Sequence, residues 1–332
     1  REGVSGQHAV GTCRMGTDAL AVVDPDLRSP ITHQWAFGVQ HELASRTVVE
    51  VNYIGRRAYG LLGGYRMQAD IFGNGFLDAF KVVQAGGDSP LMNRILANDS
   101  RRQTNETGSQ MVRRLFAASL NLNSVGGVAG DFGTRIQGGR NITDLSGVGP
   151  FFFIPFPQFS GGVQVIDSND FSTYHALEVQ FERRFHNGLA WRSSYTWAKS
   201  LDTRSFDPIF TVASTGNAQS ASSTPFDLSN RKLNYARSDF DRTHVLQADG
   251  IWELPFARGR RDWAGQTIGG WQIMASMRLT AGRPFTVYSG SSTVSNIVQS
   301  PANCTGCTRA DGRVFDDANG IKFYLDATER GR

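Results

Sequence analysis

Residues 173–200, TYHALEVQFERRFHNGLAWRSSYTWAKS, decide the fold. In the first half, His175, Leu177, Val179 and Phe181 fall on one side of an extended chain, and Glu178, Gln180 and Glu182 on the other. Asn187-Gly188 follows, the pair that most readily supplies two successive residues with φ > 0 and hence a tight hairpin turn. In the second half, Leu189, Trp191, Tyr195 and Trp197 share a side, opposite Arg192, Ser194 and Thr196. Strict period-two alternation over such lengths predicts strands and not helices. Each arm reaches about ten residues or more. That exceeds the five or six usual in globular strands and suits a tilted strand crossing a bilayer.

The same pattern recurs on both sides. His33, Trp35, Phe37, Val39, His41 and Leu43 alternate with Gln34, Gly38, Gln40 and Glu42. After a turn at Ala44-Ser45-Arg46, Val49, Val51 and Tyr53 alternate with Glu50 and Asn52. Further on, Leu246, Ala248, Trp252 and Leu254 oppose Gln247, Asp249 and Glu253, and Trp271, Ile273, Ala275, Met277 and Leu279 oppose Gln272, Ser276, Arg278 and Thr280. Phe285 and Val287 continue that strand after an Ala281–Pro284 interruption. The sum is six long strands with a few weaker ones, their Trp and Tyr residues concentrated near strand ends. Such aromatics fit an interfacial girdle as well as an ordinary core.

Between the hairpins the alternation lapses. Residues 58–150 read as a long excursion with short helices at Phe76, Leu77, Phe80 and Val83, at Leu91, Met92, Ile95 and Leu96, and at Met111, Val112, Leu115 and Phe116. Gly126, Gly127, Gly130 and Gly133 have a superficial phosphate-loop look, but no buried strand precedes them and no good helix is expected after them. The run FFFIPFPQF at 151–159 carries Pro155 and Pro157, so it marks an edge, a turn or a girdle, not a central strand. Residues 201–230 and 290–332 are polar and loop-like.

Composition narrows the class. Of 332 residues, 40% are hydrophobic and 19% charged, and no apolar run has the length of a membrane helix, so any membrane crossing is by strands. The net charge is +4, from arginine pairs that are scattered and form no basic stripe with stacking aromatics, which argues against a nucleic-acid partner. Cys304 and Cys307 form a lone C-T-G-C. Without further cysteines or histidines in metal-ligand spacing it reads as a small loop disulfide in an oxidising compartment, or as two free thiols, and no metal site is expected. Cys13 stands alone. The chain opens on Arg1 without a visible signal peptide and reads as a fragment. Two architectures stay open on pattern alone: a soluble β-sandwich binding module, and an antiparallel transmembrane β-barrel, all-β and partial, with long loops carrying short helices. Strand length, short turns and long loops favour the barrel.

The strings PDLRSPITHQWAFGVQHEL, TVVEVNYIGRRA, PFPQF, STYHALEVQFERRFHNGLAWRSSYTWAKSLD, SDFDRTHVLQADGIWELPFARGRR and GWQIMASMRLTAGRPFTV occur in that order. Over about residues 25–290 they resemble the barrel of Oar-like TonB-dependent receptors of the Gram-negative outer membrane. The resemblance implies an outer-membrane location, lipid and the TonB complex as partners, and an unknown ligand bound at extracellular loops. No plug domain, TonB-box segment or closing strand is visible, so the expectation is a middle portion of such a barrel. It implies that Trp35, Phe37, Val39, Leu177, Val179, Phe181, Leu189, Trp191, Tyr195, Trp252, Trp271 and Ile273 face lipid, that Glu178, Gln180 and Arg192 face the lumen, and that no residue is catalytic. Residues 1–28 are different. HAVGTCRMGTDALAVVDPDLR is similar to the C-terminal signature of glucose-methanol-choline (GMC) flavin oxidoreductases, in which the matching histidine, here His8, works as acid/base beside FAD. The Gly-rich dinucleotide-binding turn of that family is absent. The expected division is thus a GMC-like remnant at 1–28 joined within VDPDLR to a partial barrel at 29–332, with a truncated flavin-dependent alcohol oxidoreductase as the enzymatic alternative.

Overall fold

Six long strands make one continuous antiparallel wall. They are β2 (Ile31–Ala44), β3 (Thr47–Arg66), β6 (Val163–His186), β7 (Leu189–Asp202), β9 (His244–Glu253) and β10 (Gln272–Thr280), in the spatial order β10-β9-β7-β6-β3-β2. Two short strands complete the eight-stranded sheet. β1 (Leu20–Val23) pairs in parallel with the start of β6, and β8 (Ala236–Arg237) pairs with the end of β7. The sheet is open, with β2 and β10 at its edges. The computed structural model describes residues 20–156, 159, 162–205, 224–256, 262–284, 286, 289–298, 300–302, 314–317 and 320–323.

Hairpin chemistry sets the register. Asn187 (φ 51°) and Gly188 (φ 79°) both adopt left-handed backbone, as a two-residue turn matched to the strand twist requires. At the β2–β3 hairpin Arg46 takes φ 68°, and its backbone N–H donates to Glu42 Oε1 at 3.2 Å. The pairing then runs in step across all six strands. One row reads Val39, Val51, Val179, Tyr195, Leu246, Leu279, and its neighbour on the other face reads Gln40, Glu50, Gln180, Ser194, Gln247, Arg278. A slip by one residue in any strand would exchange its two faces, so the hydrophobic pattern and the turns specify the same register.

The alternation predicted these strands but misjudged where β3 ends. β3 continues through residues 58–66 to Arg66, and β6 begins at Val163, so the pair is 20 and 24 residues long. A bulge at Gly60, which takes φ 66°, marks where the regular wall gives way to this extension. Beyond it Gly63, Gly64, Val163, Gln164 and Val165 are all buried, because protein covers both faces there. With no single solvent on either side, AYGLLGGYR has no reason to alternate.

The extended pair carries a helical subdomain. Its elements are α1 (Phe76–Gln84), α2 (Pro90–Ile95), α3 (Gly108–Leu115), α4 (Ala117–Asn121), α5 (Val125–Thr134), a small hairpin of β4 (Ile136–Gln137) with β5 (Arg140–Asn141), and α6 (Ile142–Leu145). The first three helices match the expected apolar patches. Thr107 and Gln110 cap α3 reciprocally, with Gln110 N–H donating to Thr107 Oγ1 at 3.2 Å and Thr107 N–H to Gln110 Oε1 at 2.8 Å. Ser89 caps α2 ahead of Pro90. Phe76, Phe80, Val83, Met92, Ile95, Met111, Val112 and Phe132 are fully buried in one core. Phe153 joins them, 1% exposed, with its ring edge-on to Phe76 at 4.7 Å. From the aromatic run at 151–159, Phe152, Phe153 and Ile154 thus pack on this core, while Phe151 and Phe156 are exposed. The four glycines, after which no good helix was expected, lie inside helix α5, and at Gly126 a Cβ would stand 2.6 Å from the Val294 carbonyl oxygen.

A short helix α7 (Trp263–Ile268) sits in the β9–β10 connection, and a β11 (Val314–Asp317) and β12 (Gly320–Phe323) hairpin follows the wall. Among the described residues no helix is long and apolar enough to cross a membrane, which leaves crossing by strands untouched. Phe285 and Val287 lie outside the described residues.

Candidate membrane wall and cap

The wall has two chemically distinct faces. Register puts Trp35, Phe37, Val39, Leu177, Val179, Phe181, Leu189, Trp191, Tyr195, Trp252 and Ile273 on one face, each exposed or half-exposed. Phe37 is 70% and Ile273 49% exposed, values that would be costly for a sheet face in water. Trp271 lies one residue before β10, 62% exposed, and its indole N–H donates to the Thr267 carbonyl at 2.7 Å. Glu178, Gln180 and Arg192 point the other way. On that polar face Asn52 Nδ2 donates to Glu50 Oε1 at 2.7 Å, and Arg192 stands in register between Glu182 and Asp249.

Three tyrosine–histidine pairs cross the strands on the apolar face. Tyr53 Oη lies 2.8 Å from His175 Nδ1, Tyr195 Oη 2.8 Å from His244 Nδ1, and Tyr59 Oη 2.9 Å from His33 Nε2. The rings of each pair are stacked. Each pair gives two amphipathic rings a polar partner on an otherwise apolar surface. Alternation identifies the residues but not the pairing, which is diagonal and depends on register.

Connections differ between the two ends. At one end β2–β3 and β6–β7 close in two residues, while β9–β10 is joined through residues 254–271, which carry α7. At the other, residues 67–162, 203–243 and the chain after β10 form long crossovers that interlock. Asn296 Oδ1 accepts the Ala69 N–H at 2.7 Å, Thr224 Oγ1 accepts the Arg66 N–H at 3.1 Å, and Gln68 Nε2 donates to the Pro225 carbonyl at 2.6 Å. The Gly126 and Gly127 N–H groups, at the start of α5, donate to the Thr293 and Ser292 carbonyls at 3.0 Å each. Buried charge reinforces the junction. Asp170 pairs with Arg204, and Asp167 with Arg231, whose guanidinium lies 5.0 Å over the Tyr65 ring. Partners 34 and 64 residues apart leave no trace in a local pattern, and the sequence reading missed them.

Within the cap, Asp99 is fully buried in its side chain and holds Arg101 at 2.7 Å and Arg135 at 3.3 Å. Burial alone would raise its pKa, but hydrogen bonds from the Arg101 side chain and backbone hold it below the usual carboxylate range. Glu106 is lowered further, to about 2, by hydrogen bonds from Arg114 and from the Gln103 N–H. No group of carboxylates, histidines or cysteines among the described residues is arranged to hold a metal ion. His8, Cys13, Cys304 and Cys307 lie outside the described residues.

Family comparison fits this geometry. A model described as "Outer membrane beta barrel domain" matches residues 5–328. The chain belongs to the outer membrane β-barrel family. A barrel domain of that family resides in the outer membrane, and its apolar strand face is the one suited to lipid. No curated protein sequence matches the chain. Among solved structures it is similar to the outer membrane transporter YddB from Escherichia coli, at 7% identity and a TM-score of 0.30, covering 80% of this chain and 27% of that one. The chain thus spans about a quarter of that transporter's length, and a likeness this low carries no argument.

Proposed function

We propose that this outer membrane β-barrel chain is part of the wall and extracellular cap of a TonB-dependent, Oar-like receptor that takes up a bulky nutrient. The observation that carries the reading is the contrast between the ends: the two longest connections interlock at one, while two of the three connections at the other close in two residues. Outer-membrane barrels keep short turns on the periplasmic side and long loops outside, so the interlocked crossovers face the medium. Recognition surfaces commonly sit on loops held by a rigid scaffold, and here the loops form a folded cap. The apolar face, from Trp35 and Phe37 to Trp252, Trp271 and Ile273, meets lipid, and Glu178, Gln180 and Arg192 line the lumen. A cavity of about 410 Å³ is bordered by Arg56, Tyr174 and Ser200, which stand in register on the polar face of the wall. No residue is assigned a catalytic role, and the energy for uptake comes from the TonB complex acting on the whole receptor.

The test compares cells with the intact gene and cells deleted for it, across a panel of oligosaccharides, peptides and metal chelates. The expected result is loss of growth on at least one nutrient, reproduced in intact cells by collapsing the proton gradient with a protonophore. If no nutrient separates the strains, or uptake persists without the gradient, the receptor reading fails.

A further inference from the structure

Charge is segregated across the wall. In the regular part of the sheet, below the bulge at Gly60, Glu42, Glu50, Glu178, Glu182, Asp249 and Glu253 all project to the polar face. Among the described residues of the six long strands there, no carboxylate projects to the apolar face, while Arg57 and Lys199 do. Both are exposed, and neither makes an ion pair among the described residues. They stand toward the end that carries the long crossovers. Arg57 is opposite Thr173, Lys199 is opposite His175, and β6 runs between them. By sheet spacing their Cα atoms are about 12 Å apart, within joint reach of two long side chains.

Uncompensated cations on a lipid-facing surface are costly unless an anion meets them. That anion must come with apolar chains, because the next rows down are Phe37, Tyr53, Leu177 and Trp197, and Val39, Val51, Val179 and Tyr195. We propose that Arg57 and Lys199 bind the phosphate of an anionic lipid headgroup in the outer leaflet, whose acyl chains lie along those rows. The guanidinium supplies a planar fork for the phosphate oxygens and the ammonium a second, mobile charge. His175, fixed by its 2.8 Å hydrogen bond to Tyr53, lies between the two cations and adds a polar edge beneath the headgroup. The inference rests on the lipid-facing assignment of this face and on the outward placement of the long crossovers, and not on which nutrient the receptor takes.

The intact protein carrying this chain is extracted from its outer membrane in zwitterionic detergent and washed, and retention of added bisphosphorylated lipid A is measured. Folding of each variant is checked by heat-modifiable migration. R57Q/K199Q is expected to bind about tenfold or more weakly, and R57K/K199R to stay within about twofold of wild type. R183Q, which removes a basic side chain from the same face near the short-turn end, is expected to bind normally. The single variants R57Q and K199Q give intermediate losses and keep the test readable should the double variant misfold. Equal retention by R57Q/K199Q, or by the same lipid after phosphatase treatment, overturns the proposal. Displacement by millimolar inorganic phosphate alone also overturns it, since the site would then be for a free anion.

Discussion

Arg204 Nε donates to Asp170 Oδ2 at 2.7 Å, with both side chains only 4% exposed. Thr203 Oγ1 donates to the same carboxylate at 2.9 Å, so the start of the crossover after β7 is tied to β6 by a buried charge cluster. Among the described residues one guanidinium nitrogen of Arg204 has no hydrogen-bond partner, which makes the pair a device for orientation more than a source of net stability. Removing one partner is another matter, because a buried charge is then stranded. Arg204→Ala is expected to cost about 3–5 kcal/mol locally, whereas a paired apolar replacement of both residues costs far less. Hydrogen exchange reads this directly. The Phe171 N–H donates to Thr203 Oγ1 and the Thr203 N–H to the Phe171 carbonyl, and both amides should exchange about a hundredfold faster or more in Arg204→Ala. Unchanged exchange would remove the pair from the anchoring argument.

The cap core offers an independent probe. Phe153 is 1% exposed and packs edge-on against Phe76 at 4.7 Å and Phe152 at 4.8 Å. Phe153→Ala is expected to destabilise the cap by about 3–5 kcal/mol, through lost transfer energy and the cavity left behind. Urea titration followed by near-UV circular dichroism should show early melting of the cap. Heat-modifiable migration, which reports the wall, should stay as in the unsubstituted protein. A cap and wall that unfold together would contradict the separate core described here.

Neighbouring positions on one strand should respond oppositely to the same change. Val179 lies in the apolar row between Val51 and Tyr195, and Gln180 in the polar row between Glu50 and Ser194. Arginine on the lipid face near mid-membrane costs about 2–4 kcal/mol. Val179→Arg should therefore weaken folding into bilayers by that amount, while Gln180→Arg, beside Glu50, stays within about 0.5 kcal/mol of the original. Equal penalties at the two positions would mean that the faces are misassigned.

Glu106 gives a pH signature. Its folded pKa is about 2 against an ordinary 4.5, so the carboxylate prefers the folded state while charged. Its contribution is complete above pH 4.5 and is lost as pH falls from 4.5 through about 2, when protonation releases Arg114. Thermal melting of the cap should decline over that window, and Glu106→Gln should flatten that part of the decline. A variant with the same acid limb as the original protein would show that other carboxylates set it.

What could be read from the sequence follows from where the chain meets a uniform surrounding. The wall was legible because one solvent borders each of its faces, and period-two alternation from Trp35 to Leu279 records that. The helices were legible because Phe76, Phe80 and Val83, or Met111 and Val112, face a single core. The extension of β3 beyond Ala58 was not, since protein lies on both sides of it. The ties that hold the cap were equally hidden: Asp170 to Arg204, Asp167 to Arg231 and Asn296 to Ala69 join residues far apart in the chain, and polar side chains in loops look alike whether buried or free. The helix through the glycines of α5 was hidden because long-range neighbours account for them: Val294–Asn296 crowds Gly126 and Gly130, and Phe153 and Ile154 crowd Gly133.

The register also leaves a mark on how such a gene can vary. The apolar face carries odd-numbered residues on β2, β3, β6, β7 and β10, but even-numbered ones on β9. The parity changes within the crossover from Thr203 to Thr243 and changes back within the β9–β10 connection. A codon gained or lost in that crossover is therefore silent to the wall, since loop length need not be even or odd. The same event inside β6 would turn every later side chain of that strand inside out. Descendants of this chain are free to differ in length above the membrane, while each strand within it must keep its count.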